Sequence, residues 1–169
     1  MKAEEFLLAV AQIGLTLAGI TGIVALLRRA DQHWVFQDVA GLKIILELSF
    51  ASVFFALLPF PLHYMSVAED KLWRISNLLL GCFWLAYLFL LHYRVVKMRR
   101  SNAPPRRPKV IWVSTLITLL LVVTLIFNPF SLNATSAYLW GMIWLLAVPG
   151  QQLFFFISFF TSSLFEEKK

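Results

Sequence analysis

From Val110 to Phe165 the chain carries no Asp, Glu, Lys or Arg. A soluble fold cannot leave so long a stretch without charge, because part of it must face water. Two membrane crossings joined by a short turn can. Composition agrees. The chain is 60% hydrophobic and 14% charged, where soluble domains run about 45–50% apolar and about 25% charged. The expected fold class is an all-α integral membrane protein.

A bilayer core of about 30 Å takes about 20 residues of helix. Five segments reach a spanning length, at about residues 6–27, 44–62, 73–96, 110–127 and 137–164. The last is longer than the bilayer needs, so it must tilt, bend or emerge. Pro149 near its centre removes a backbone donor and predicts a kink there. The first segment begins with Glu4 and Glu5 beside Lys2 and ends in Leu27-Arg28-Arg29, which reads as a retained helix with a stop-transfer flank. The connections are short, so residues 1–169 are expected to form one transmembrane domain, a compact five-helix bundle. They leave no room for a soluble catalytic domain.

Orientation follows from the Lys and Arg on alternate sides. Twelve fall on the side that holds Arg28, Arg29, Lys43 and the stretch from Arg94 to Lys109, and three on the other. This places the amino terminus outside and the carboxyl terminus in the cytoplasm, as in a bacterial inner membrane. The formal charge of +6 does not point to nucleic acid. Seven of the fifteen basic residues lie between Arg94 and Lys109 beside a hydrophobic exit. The segment 98–109 is basic and Pro-rich, hence an extended cytoplasmic loop. Arg99, Arg100, Arg106 and Arg107, with Arg28 and Arg29, are expected at the membrane surface, and anionic headgroups are their expected partner.

Polar residues inside the spans carry most of what can be read about function, because each must find a partner in lipid. In the first helix Gly14, Ala18 and Gly22 recur every four residues and form a groove for close helix packing. Gln12 and Thr16 lie on a neighbouring stripe, and with Thr21 they are candidates for a polar path. Glu47 sits one turn after Lys43 inside the second apolar run. It is either a proton or cation site or half of an ion pair, with Lys43, Arg28, Arg29 or Arg94 as its partner. Gln151 and Gln152 follow Pro149-Gly150 near the middle of the last helix, where transporters place polar groups beside a broken helix.

His33, His63 and His92 are isolated in the sequence, and Cys82 is the only cysteine. No metal-ligand spacing, phosphate-cradling loop or nucleophile elbow is present. No metal, no cofactor and no catalytic residue is therefore expected, and the chain does not read as an enzyme. Two function classes remain. One is a homo-oligomeric channel or small transporter built with polar groups from the first, second and fifth spans. The other is a non-catalytic membrane scaffold or accessory subunit that packs against another membrane protein.

Overall fold

A computed structural model describes residues 3–27, 36–100, 108–127 and 134–166. All the secondary structure among them is helical: α1 (Ala3–Leu27), α2 (Phe36–Leu57), α3 (Pro59–Tyr64), α4 (Glu69–Arg100), α5 (Pro108–Phe127) and α6 (Ala134–Glu166). Four stretches are long and apolar enough to cross a membrane: Ala3–Leu26, Val39–Tyr64, Glu69–Lys97 and Ala134–Ser158. The described part of α5 adds a shorter apolar run, Trp112–Phe127. By length and composition the chain is a multi-pass membrane protein, and its five apolar helices fit the five spans expected.

Helix ends follow local chemistry rather than the limits of hydrophobicity. Glu69 and Asp70 open α4 and complement the partial positive charge of a helix start, and Pro108 stands at the first position of α5. The second span differs most from expectation. Its helix starts at Phe36, well before residue 44, and α2 gives way at Leu58 to the short α3. Pro59 and Pro61 cause the change, since neither can donate a backbone N–H to the preceding turn. The α3 turn then closes through Met65 N–H to the Pro61 carbonyl at 3.0 Å and Ser66 N–H to the His63 carbonyl at 3.0 Å. Ser66 takes a left-handed conformation with φ of 58°. Helix α6 continues through Pro149, which lies inside it.

The chain falls into two compact units. One comprises Met1–Ala56 with Leu145–Lys169, and the other Leu57–Trp144. In the first, α1 meets α2 at Gly14, and Leu7, Val10, Ala11, Ala18 and Thr21 are buried on the same side of α1. In the second, α4 packs along α5 and α3 packs on α4. Two glycines there allow close packing. A Cβ at Gly141 of α6 would lie 2.8 Å from Leu80 Cδ2, and one at Gly81 of α4 would lie 3.1 Å from Ile126 Cγ1. Helices that pack without a hydrophobic drive rely on this kind of contact, because lipid is as apolar as leucine.

Candidate functional site

The five polar residues picked out from the sequence, Gln12, Thr16, Glu47, Gln151 and Gln152, all belong to the unit formed by Met1–Ala56 and Leu145–Lys169. Their surroundings differ.

Gln12 stands nine residues after Ala3, or about 14 Å along α1 at 1.5 Å per residue. It is exposed, on the side of α1 opposite Leu7, Val10 and Gly14. Among the described residues its side-chain amide makes no hydrogen bond. Thr16, one turn on, is also exposed, but its hydroxyl donates to the Gln12 carbonyl at 2.8 Å. Thr21 is not part of this stripe. It follows Gln12 by nine residues, which is half a turn out of phase, so it is fully buried and donates to the Leu17 carbonyl at 2.7 Å.

The three small residues of α1 have unequal neighbours. Gly14 lies against α2, with the Ser49 carbonyl 3.0 Å and Val53 Cγ2 3.1 Å from where a Cβ would stand, and the Ser52 hydroxyl closer still. Ala18 is buried. Gly22 has nothing within 4 Å of its Cβ direction, and the same holds for Gly19. The Ser52 hydroxyl donates to the Ser49 carbonyl at 2.7 Å, while the buried Ser49 hydroxyl has no partner among the described residues.

Glu47 lies eleven residues into α2, because that helix begins at Phe36. Its Oε1 is 3.8 Å from Lys43 Nζ, with the two side chains 30% and 64% exposed respectively. Gln151 and Gln152 are half-buried in α6, one turn or less beyond Pro149. Among the basic residues, Arg28, Arg29, Arg106 and Arg107 lie outside the described residues. The backbone of Arg99 and Arg100 closes α4.

The second unit contains polar contacts among residues outside the set picked out from the sequence. Asn77 of α4 is fully buried and donates through Nδ2 to the Ala134 carbonyl at 2.7 Å and the Trp73 carbonyl at 2.9 Å. Trp144 Nε1 of α6 donates to Thr118 Oγ1 of α5 at 2.9 Å, and that hydroxyl donates in turn to the Ser114 carbonyl at 2.7 Å. These bonds tie α4 to α6 and α5 to α6 inside a region where lipid offers no competing partner. The Trp73 ring lies 5.8 Å from that of Tyr138 near the same end of the unit.

No family model matches the chain, and comparison with curated proteins and with solved structures finds no similar protein.

Proposed function

We propose that the chain is the protomer of a homo-oligomeric channel or small transporter, set in a bacterial inner membrane with its amino terminus outside. The observation that carries this reading is Gln12. It is a primary amide about 14 Å along an apolar helix, exposed, with its donors and acceptor unused among the described residues. A polar group left unpaired in an apolar medium costs about 2–7 kcal/mol. Such a side chain must therefore meet water or another protein. Glu47 adds the only Asp or Glu between Asp38 and Glu69. Gln151 and Gln152 add two amides beside Pro149, where a bend of α6 would turn freed backbone carbonyls to the same path. Arg28, Arg29 and the basic residues between 98 and 109, where α4 ends and α5 begins, hold the cytoplasmic face to anionic headgroups.

The chemistry asked of these groups is modest. Gln12, Gln151 and Gln152 replace hydration with amide dipoles, and Glu47 supplies a titratable charge at the cytoplasmic end. No covalent step is involved.

A second reading, a non-catalytic scaffold or accessory subunit, is favoured by Thr16. Its hydroxyl is satisfied within α1 and can face lipid or a flat protein surface without water. Gln12 still needs a partner, and a contact with another membrane protein would supply it. The purified protein alone in liposomes separates the two. Flux of protons, monovalent cations or small polar solutes above that of empty liposomes supports the first. No flux, with a different membrane protein retained stoichiometrically through purification, supports the second.

A further inference from the structure

We propose that the exposed seam of α1 is the surface through which copies of this chain associate, with Gln12 of one copy hydrogen-bonded to Gln12 of the next. The inference rests on the homo-oligomeric reading above and names the surface that produces it.

Leu8, Gln12, Leu15, Gly19, Ile23 and Leu26 are all exposed and follow one another at intervals of three or four residues. The mean interval is that of a straight α-helix, so the seam runs along one side of α1 without winding around it. The opposite side, with Gly14 against Ser52, is already occupied.

Three features make a second copy the fitting occupant. Gln12 has two N–H donors and a carbonyl acceptor, and acyl chains offer neither a donor nor an acceptor. Copies related by rotation about the membrane normal bring Gln12 to the same depth in each, so every amide meets its own complement. A foreign partner would need a matching polar group at that level, which a second copy has by construction. Gly19, two turns beyond Gln12, has nothing within 4 Å of its Cβ direction. Unlike Gly14 it is packed against nothing among the described residues, and it lets a neighbouring backbone come close, as glycines do at helix contacts in membranes.

The test uses the whole chain in native membranes, in a Cys82→Ser background. Gly19→Cys puts a thiol on the seam, where there is room for it. Ile13→Cys puts one on the exposed part of α1 about a third of a turn away. Mild oxidation should link the Gly19→Cys chains into dimers and leave the Ile13→Cys chains single. Adding Gln12→Leu should weaken association about tenfold in detergent, the share that one interhelical amide pair supplies. Gln12 is exposed and its side chain makes no hydrogen bond among the described residues, so circular dichroism and expression should be unchanged. Equal cross-linking at both positions, or full association after Gln12→Leu, would overturn the seam. Cross-linking only through other positions overturns it too, but leaves the homo-oligomer standing. Monomers alone by native mass spectrometry in nanodiscs would sink both. Linked dimers without flux in liposomes support the seam and sink the channel.

Discussion

Gly14 of α1 lies so close to Ser52 of α2 that a methyl group at position 14 would overlap the serine hydroxyl. The hydroxyl could turn aside, but the Ser49 carbonyl, 3.0 Å from the same point, is backbone and cannot. Forcing extra atoms into a packed contact costs about 1–3 kcal/mol. Gly14→Ala should therefore lower the unfolding free energy by about that amount, and Gly14→Leu by more. Gly22→Ala, with open space around it, should stay within about 0.5 kcal/mol of the parent. Unfolding in mixed micelles measures all three. Equal losses at positions 14 and 22 would mean the helices cross elsewhere.

Asn77 supports a second, chemically different joint. Both hydrogens of its amide are committed, one to its own helix and one to Ala134 at the start of α6. Asn77→Leu fills a similar volume and removes both bonds, so it should cost about 1–3 kcal/mol by leaving buried carbonyls without that donor. Asn77→Asp should be worse, because it turns a carboxylate toward the same two carbonyls. A chain with Asn77→Asp as stable as one with Asn77→Leu would contradict these bonds.

The spans were legible because charge is so scarce: nothing between Lys109 and Glu166 could be mistaken for a soluble surface. What was not legible is which neighbour each small or polar residue meets. Gly14, Gly22, Gly81 and Gly141 look alike in sequence, yet three are tightly packed and Gly22 is open. A glycine in an apolar run records that space is needed without recording by whom. Thr21 could have been separated from Gln12 and Thr16 by counting 100° per residue, which places it on the opposite side. The early start of α2 was hidden for another reason. Helices run on past the apolar window whenever the flanking residues permit, and Gln37 and Asp38 do so at the start of α2. Its end at Leu58 is legible in Pro59 and Pro61, neither of which can donate a backbone N–H to the preceding turn.

The Trp144–Thr118 hydrogen bond can be isolated by a double-mutant cycle. Trp144→Phe removes the donor and Thr118→Val the acceptor. Coupling energies between polar side chains in membranes average about 0.6 kcal/mol and reach about 1.7. Thr118 is buried and already donates to Ser114, so the coupling should fall in the upper part of that range. A value near zero would mean that the indole contributes by packing alone.

Sidedness can be read directly. With Cys82→Ser, a cysteine at Asn133 should react with an impermeant maleimide on intact cells. One at Ser101 should react only after permeabilisation. The reverse pattern would overturn the count of basic residues, and with it the placement of Glu47 near the cytoplasm.

Glu47 distinguishes a transport role from a structural one. Lys43 is nearly two-thirds exposed and its Nζ stands 3.8 Å away, so solvent screens the pair and it is worth less than about 1 kcal/mol. Lys43→Gln should accordingly leave both stability and flux near the parent. Glu47→Gln keeps the shape of the side chain and removes its charge. If the carboxylate serves transport, melting temperature should hold while flux, or its dependence on pH, changes. If it instead neutralises a cation held in the protein, removing it leaves that cation uncompensated at a cost of about 3–5 kcal/mol. The variant would then melt early, with normal flux per folded molecule. Both quantities are to be measured on one preparation, because a loss of folded protein alone would imitate a loss of flux. A Glu47→Gln chain unchanged in both assays would remove Glu47 from the path and leave Gln12, Gln151 and Gln152 to carry it.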